Sequence, residues 1–315
     1  MGIQNLEKIF HPKSVAVVGA SERSGTIGFA LMANLINGKF EGDVYPVNRK
    51  QKTSWGLPAR RSILELKSPV DLAVIATPLS SVPEIIQDCT RAGVSGAIII
   101  SAGGKETGEQ GQATENAIKD AVGESGLRII GPNCLGVISV WTRLNASFGR
   151  QMPLSGKMAF VSQSAAICTS LIDLSVKNEI GLSYLISVGS MLDVDFGDVI
   201  DYLGGEPDVN SIVMYIESLN RFRNFMSAAR SVSRIKPIIA LKAGRKGAGA
   251  KAALSHTGAL AGDDAVYDAA FKRAGIVRVK TFEELFDCSA FIAKQPRPKG
   301  PALAIITNAG GPGVM

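Results

Sequence analysis

Short apolar runs alternate with amphipathic stretches along nearly the whole chain, and this alternation predicts a series of strands and helices. In the first half the predicted strands are Ser14–Val18, Asp43–Val47, Asp71–Ala76, Ser95–Ile100 and Leu127–Ile130. The predicted helices are Gly25–Ile36, Val82–Ala92 and Gly111–Glu124. This order predicts an α/β domain whose parallel sheet is covered by helices on both faces.

The segment Trp141–Gly156 breaks the alternation and predicts a domain boundary. Beyond it the strands are expected at Lys157–Val161, Leu182–Ser187, Ser211–Glu217, Pro237–Lys242 and Ile276–Val279. The helices are expected at Ala165–Lys177, Phe196–Leu203, Phe222–Arg234, Asp263–Ala274 and Phe282–Ala293. We therefore expect one domain in residues 1–150 and a second, doubly wound domain in residues 151–296. Residues 297–315 are expected to be a linker and the start of a truncated third α/β domain, with a strand at Ala302–Thr307.

Composition narrows the classes of protein. The 315 residues are 46% hydrophobic and 20% charged, which predicts a packed core rather than disorder. A net charge of +6 without a dense basic run argues against nucleic-acid binding and suits small anionic ligands. The four cysteines form no Cys-x-x-Cys pair, so neither a metal site nor a disulfide framework is expected.

The same features predict a cytoplasmic protein. The N-terminus lacks a basic region followed by an apolar run, so no signal peptide is expected. No segment approaches 18 uncharged apolar residues, so no membrane span is expected either. Unpaired cysteines fit a reducing compartment.

Gly- and Ser-rich turns follow several of the predicted strands, at the edge where open α/β sheets bind ligands. The turn after the first strand, Val18–Ser21, precedes a helix and predicts an anion site. The second strand ends in Asn48-Arg49-Lys50, where Arg49 or Lys50 either favours a phosphate group or is a solvated cation on a loop. A nicotinamide dehydrogenase is the weakest alternative. It rests on the Gly19 turn alone, and the acidic residue that would bind the ribose of the cofactor is missing from the end of the second strand. Further turns of this kind are Ala76–Pro78, Ser101–Gly104 and Gly131–Gly136.

Two features of the second half add candidate chemistry. Val161–Ser164 precedes a helix and offers hydroxyls, an amide and helix-start N–H groups for a carboxylate or phosphate, although Ser164 also fits a simple N-cap. Glu217 ends an apolar strand, where its carboxylate either orients an imidazole or is solvated.

His256 is one of only two histidines, and it follows Ala243–Ala253, a stretch rich in Gly and Ala. Such a stretch predicts a loop whose backbone can approach a ligand closely. An imidazole is largely neutral near pH 7 and can form covalent intermediates, so His256 is a candidate carrier or nucleophile. The alternative is a surface histidine on a loop.

Taken together, the chain resembles the NDP-forming acyl-CoA synthetases, which include ADP-forming acetyl-CoA synthetase and the succinyl-CoA synthetase alpha subunit. The stretches that carry the resemblance are Val17–Ser21, Tyr45–Asn48, Ala76–Pro78, Gly131–Gly136, Phe160–Ser164 and Ser255–Ala259. The resemblance implies a Rossmann-like CoA-binding domain followed by a flavodoxin-like ligase domain. It also implies that acyl-CoA, phosphate and NDP interconvert with acid, CoA and NTP through an acyl phosphate and a phosphohistidine.

The resemblance assigns roles to individual residues. His256 would be the phosphohistidine, and Glu217 would hold and polarise it. Asn133, Gln163 and Ser164 would face the acyl and phosphate groups. The CoA crevice would be lined by Gly19, Ala20, Ser21, Lys50, Thr77, Pro78, Ser101, Ala102 and Gly103.

The resemblance also implies partners. ADP or ATP with Mg²⁺ would bind at a site outside this sequence, in an ATP-grasp module of the same or another chain. The small-molecule substrates would be CoA, phosphate and a short-chain acid, with acetate the leading candidate. Leu144–Phe148 and Ser164-Ala165-Ala166 are similar to synthetase modules fused to GNAT protein acetyltransferases, so an acyl-CoA-sensing module with a GNAT domain downstream is the alternative.

Overall fold

A computed structural model of the chain describes residues 2–245, 263–295, 300, 302 and 304–314. In the first part of the chain, five parallel strands form a sheet with the order β2-β1-β5-β6-β7. These strands are β1 (Ser14–Val18), β2 (Asp43–Val47), β5 (Leu72–Ile75), β6 (Gly96–Ile99) and β7 (Arg128–Ile130), and a small hairpin, β3 (Thr53–Ser54) and β4 (Leu57–Pro58), lies beside them. The chain passes from β1 to β2 on one side of β1 and then crosses to β5 on the other side. The strand order therefore reverses between β1 and β5, and a switch point lies there.

The helices of this part pack on the sheet through apolar residues. They are α1 (Glu7–Phe10), α2 (Ile27–Asn37), α3 (Val82–Arg91) and α4 (Glu109–Val122). Helix α2 begins where the Thr26 side chain accepts a hydrogen bond from the Phe29 N–H at 3.2 Å, which satisfies one of the free N–H groups of its first turn. Leu31, Met32 and Leu35 of α2 are buried against the core.

The second sheet has seven strands among the described residues, in the order β14-β13-β12-β10-β11-β8-β9. These strands are β8 (Gly136–Ser139), β9 (Leu144–Ser147), β10 (Ser155–Ser162), β11 (Leu182–Ser187), β12 (Ser211–Ile216), β13 (Ile238–Lys242) and β14 (Val277–Val279). The last five are parallel and repeat the winding of the first sheet, whereas β8 and β9 are antiparallel to their neighbours. The helices are α5 (Ala165–Lys177), α6 (Phe196–Gly205), α7 (Phe222–Val232), α8 (Asp264–Ala274), α9 (Phe282–Lys294) and α10 (Gly310–Val314).

The predicted α/β class, a Rossmann-like unit followed by a flavodoxin-like unit, is confirmed. The hairpin of β8 and β9 was not predicted. Asn145 and Ser147 on β9 are buried and hydrogen-bond each other at 2.6 Å, so the strand lacks the apolar pattern that marks the others. The strand predicted over Ala302–Thr307 was wrong for residues 304–307, where the exposed Ile305 and Ile306 have no described strand beside them.

A backbone seam joins the two sheets. Residues 190–194, which follow β11, lie along residues 129–132 at the end of β7. The N–H groups of Ser190, Leu192 and Val194 donate to the carbonyls of Pro132, Gly131 and Ile129 at 2.9, 3.0 and 3.0 Å. A Cβ at position 189 would lie 2.2 Å from the Pro132 carbonyl oxygen, and Gly189 has a φ of +55°, so only glycine fits where the seam begins.

Buried charges reinforce this seam. Arg128 is 3% exposed, and its guanidinium donates to Asp193 at 2.8 Å and to Asp198 at 3.4 Å. Arg221 donates to Asp195 at 2.7 Å and also contacts Asp198. Burial raises the pKa of the Asp198 carboxyl, and the two guanidinium groups oppose that shift.

A second polar contact joins α1 to the other half of the chain. The Tyr184 hydroxyl donates to Glu206 at 2.6 Å and contacts His11 Nε2, while the Tyr202 hydroxyl donates to Glu7. Among the described residues, Glu7, His11 and Glu206 are the group whose spacing suits a metal ion. The tyrosine hydroxyls already bridge these side chains, so the structure accounts for the group as a hydrogen-bonded network.

Among the described helices, none combines the length and the apolar composition that crossing a bilayer requires.

We expect Arg128→Met to lower the free energy of unfolding by about 3 kcal/mol, because the half-buried Asp193 loses its cation and the buried Asp198 keeps only Arg221. Denaturant unfolding measures this loss. The matched control is Glu84→Gln, which breaks an exposed ion pair with Arg49 (3.0 Å, side chains 63% and 67% exposed) and should cost less than about 1 kcal/mol. Equal effects of the two substitutions would show that the buried charges do not stabilise the seam.

Candidate functional site

The first cavity lies at the carboxyl ends of β1, β2 and β5, at the switch point of the first sheet, and has a volume of about 320 Å³. It contains four of the residues assigned to a CoA crevice, namely Gly19, Lys50, Thr77 and Pro78. We call it the switch-point cavity. Because the carboxyl ends of parallel strands share one edge, these residues meet although they are far apart in sequence.

Close backbone packing shapes the floor of the switch-point cavity. Gly19 has a φ of +93°, and a Cβ there would lie 3.1 Å from the Ala76 carbonyl oxygen. Asn48 Nδ2 donates to the Ala20 carbonyl at 2.7 Å and so ties the turn after β1 to the turn after β2. Ala20 is buried beneath this contact, and neither Ala20 nor Ser21 is among the residues that line the cavity.

The lining of the switch-point cavity carries more positive than negative charge. Arg49, Lys50 and Arg61 line it, and so does one carboxylate, Asp88, which accepts a hydrogen bond from Ser62 at 2.9 Å. Arg49 is already paired with Glu84 at 3.0 Å, so Lys50 and Arg61 are the cations that favour a ligand with phosphate groups. Lys50 was predicted to line the CoA crevice, whereas Arg61 was not. Arg61 lies in a loop whose sequence has no pattern that signals ligand binding.

A second, polar cavity lies between the two sheets, and we call it the junction cavity. It is lined by Lys105, Asn133, Gln163, Gly189, Ser190, Glu217 and Ser218. These residues follow the carboxyl ends of β6, β7, β10, β11 and β12, so the ligand edges of both sheets converge here. With a volume of about 20 Å³ it has room for one or two water molecules, which suits a small polar group.

Gln163 positions the loop that carries Glu217. Its Oε1 accepts hydrogen bonds from the N–H groups of Glu217 and Ser218 at 2.7 and 2.8 Å. Its Nε2 donates to the Ser218 hydroxyl at 3.1 Å. The structure therefore places Gln163 at the cavity, as the assignment requires, and shows that most of its amide is engaged with the loop after β12.

Glu217 lies beside a buried cation. It is 7% exposed and follows Ile216, which pairs in register with Lys242 of β13. The Lys242 ammonium donates to the Ala243 carbonyl and lies 4.6 Å from the centre of the Tyr267 ring. Burial lowers the pKa of Lys242, while Asp264 and Glu217 favour its charged form. Past Arg245 the chain enters residues 246–262, so the predicted carrier His256 lies outside the described residues.

The remaining assigned residues are distributed differently. Ser101 bridges the two cavities, because its hydroxyl donates to the Thr77 carbonyl and its own carbonyl accepts from the Asn133 N–H at 2.9 Å. Ala102 is exposed and Gly103 donates its N–H to Glu106 at 2.8 Å, and neither lines a cavity. Ser164 is outside the lining of the junction cavity, and its side chain is the N-cap of α5.

Four residues of the junction cavity, Lys105, Gly189, Ser190 and Ser218, were not predicted. Ser190 and Ser218 follow strands whose carboxyl ends were identified, but isolated serines carry no sequence signal of their own. Lys105 follows directly after the turn Ser101–Gly104, which the sequence analysis assigned to the ligand edge. The signal for Lys105 was therefore present one residue beyond the predicted turn.

The chain matches two protein families. Residues 13–139 match the family described as CoA binding domain, and residues 155–292 match the one described as succinyl-CoA ligase like flavodoxin domain. The alpha subunit of acetate–CoA ligase (ADP-forming) I from Pyrococcus furiosus is 43% identical over 315 residues, which are 99% of this chain and 68% of that subunit. The acetate–CoA ligase (ADP-forming) from Methanocaldococcus jannaschii is 43% identical over 98% of this chain and 43% of its own length.

A solved structure is also similar. It is the dinucleotide-forming acetyl-coenzyme A synthetase 1 of Candidatus Korarchaeum cryptofilum, described in complex with phosphate and ADP, with a TM-score of 0.92 and 40% identity. The alignment covers 98% of this chain and 67% of that one. The chain thus spans about two thirds of the Pyrococcus and Korarchaeum proteins and less than half of the Methanocaldococcus protein.

We expect Gln163→Met to lower the free energy of unfolding by about 2 kcal/mol or more, because two buried N–H groups lose their acceptor. Denaturant unfolding measures the loss, and Gln110→Met at an exposed position of α4 is the matched control, with an effect of less than about 0.5 kcal/mol. A Gln163→Met protein as stable as the control would contradict the anchoring role.

Proposed function

The chain belongs to the family of ADP-forming acyl-CoA synthetases, as the CoA-ligase portion found in their alpha subunits, and from this we propose a complete reaction. In this reaction acyl-CoA, phosphate and NDP are converted to acid, CoA and NTP, with acetyl as the acyl group and ADP as the nucleotide. The observation that carries the proposal is the adjacency of the two cavities. Ser101 hydrogen-bonds a lining residue of each cavity, Thr77 of the switch-point cavity and Asn133 of the junction cavity, so a ligand in the first can extend its reactive end past Ser101 into the second.

In the first step, CoA occupies the switch-point cavity with its phosphates near Lys50 and Arg61. An oxygen of inorganic phosphate in the junction cavity attacks the thioester carbonyl carbon. The C–S bond breaks, its electron pair leaves with the sulfur, and the sulfur takes up the proton that the hydrogen phosphate gives up, so that the CoA thiol and an acyl phosphate form. Asn133 lines this cavity and supplies an amide that can orient the carbonyl or phosphoryl oxygens.

In the second step, a nitrogen of His256 attacks the phosphorus of the acyl phosphate. The bond between phosphorus and the acyl oxygen breaks, and the carboxylate of the product acid leaves. Glu217, held by Gln163 at the edge of the junction cavity, orients the imidazole and stabilises its positive charge. Two facts support the pairing of Glu217 with His256. The end of β13 lies beside Glu217, and the chain that follows β13, between Lys242 and Asp264, contains His256.

The phosphoryl group then passes to a nucleotide bound with Mg²⁺ at an ATP-grasp module outside this sequence. Relatives described as alpha subunits support a separate partner chain. Those relatives bear ligase names, so no specific observation favours the alternative of an acyl-CoA-sensing module with a GNAT domain. We further propose a cytoplasmic location, which the free cysteines among the described residues support.

We expect Lys50→Ala and Arg61→Ala each to weaken CoA binding by about 10- to 100-fold, because each removes a charged hydrogen-bond donor to phosphate. Calorimetric titration of each variant with CoA and with dephospho-CoA shows whether the substituted side chain contacts the 3′-phosphate. If it does, the substitution should weaken the binding of dephospho-CoA less than the binding of CoA. Lys52→Ala, an exposed neighbour that does not line the cavity, is the control. Unchanged affinity in both variants would place CoA elsewhere.

We expect His256→Ala to abolish acid-labile protein phosphorylation and net turnover in the complete enzyme, because no other group in the chain replaces the imidazole as carrier. Labelled phosphate supplied with acetyl-CoA reports the phosphoenzyme. His11→Gln removes the other histidine of the chain and should leave the label in place. Normal labelling of the His256→Ala enzyme would refute the carrier role.

A further inference from the structure

We propose that Lys105 is the residue that binds the phosphate group in the junction cavity and so sets the affinity of the enzyme for inorganic phosphate and for acyl phosphate. The inference rests on the proposed function and adds to it a contact that the sequence analysis did not assign. Four observations carry it: the position of the ammonium, the rigidity of its backbone, the charge of the cavity, and the size of the cavity.

The Lys105 ammonium reaches from the first sheet to the second. Lys105 begins a short 3₁₀ helix, Lys105–Thr107, after β6, and its Nζ donates to the Ser190 carbonyl at 3.0 Å. An ammonium has three donors, and within the described residues this bond uses one of them. The other donors are available to a ligand in the junction cavity, whose wall Lys105 forms.

Two carboxylates, the buried Glu115 and the half-buried Glu106, fix the backbone around Lys105. Its N–H donates to Glu115 Oε1 at 3.0 Å, and the N–H of Gly103 donates to Glu106 at 2.8 Å. A Cβ at Gly104 would lie 2.2 Å from Glu115 Oε1, so the turn packs directly on this carboxylate. Burial raises the pKa of Glu115, which the hydrogen bond from Lys105 opposes. The ammonium therefore extends from a firmly held position, which reduces the entropy lost when it binds a ligand.

The charge of the cavity requires a cation. Among the residues that line it, Glu217 carries the negative charge, Lys105 carries the positive charge, and the others are neutral. Although Lys242 lies near Glu217, a phosphate dianion placed next to this carboxylate is still repelled by it. Lys105 offsets this repulsion and stabilises the charge on the phosphoryl oxygens during transfer, without forming a covalent bond.

The size of the cavity argues that the same ammonium serves each phosphoryl species in turn. At about 20 Å³ the cavity admits a phosphate only where the lining side chains give way, and a second anion would not fit beside it. Inorganic phosphate before the first step and the phosphoryl group of acyl phosphate after it must therefore occupy nearly the same place. Lys105 is thus expected to influence the steps that involve phosphate and to leave the binding of CoA in the switch-point cavity unaffected.

The test uses the complete enzyme, assayed with acetyl-CoA, inorganic phosphate and ADP. We expect Lys105→Ala to raise the KM for phosphate by about 10- to 100-fold, because a charged hydrogen bond is lost, while the KM for CoA in the reverse direction stays within about twofold. Lys105→Arg should recover part of the affinity. Lys119→Ala, which removes an exposed lysine of α4, is the control and should change neither constant.

A second variant separates ligand binding from the structural link to Ser190. Lys105→Gln retains a donor for the Ser190 carbonyl but has no charge, and we expect the same rise in the KM for phosphate. A purely structural role would change the constants for CoA and phosphate together, and that result would overturn the inference, as would a normal phosphate KM in Lys105→Gln. If the unmodified enzyme does not consume phosphate, the proposed function itself fails.

Discussion

The backbone seam between residues 129–132 and 190–194 is the constraint on which the rest of this structure depends. Each parallel sheet places its polar turns at its own carboxyl edge, and such an edge alone forms only half of a closed site. The seam sets the two edges against each other at hydrogen-bond distance, and Gly189 allows an approach that any side chain would prevent. The buried pair of Arg128 and Asp193 holds the same junction through charge.

In the proposed reaction, the two cavities divide the substrate between them. The switch-point cavity offers cations and a Gly-lined floor, which suits the charged nucleotide end of CoA. The junction cavity is small and polar, and it pairs a carboxylate with an ammonium, which suits transfer of a phosphoryl group under partial exclusion of water. Gln163 links the parts, since its amide fixes the loop that positions Glu217.

Much of the fold could be predicted because local patterns and tertiary burial agree. Ser14–Val18, Leu182–Ser187 and the helix Ala165–Lys177 match the structure at both ends. The β8–β9 hairpin could not be predicted, since the buried polar residues Asn145 and Ser147 interrupt the apolar pattern by which a buried strand is recognised. The assigned turns did reach the ligand edges. The hydrogen bonds of Ser101 to both cavities and of Lys105 to the second sheet depend on which turns face each other, and spacing along one chain does not encode that.

The central claim is that CoA and phosphate meet where the two sheets join. The most direct measurement is a crystal structure of the chain with CoA and inorganic phosphate bound. We expect the nucleotide end of CoA to lie in the switch-point cavity and its pantetheine arm to pass Ser101. Its sulfur should be in van der Waals contact with phosphate in the junction cavity. A structure in which CoA binds away from Gly19 and Thr77, or in which the sulfur points away from Asn133 and Glu217, would contradict it.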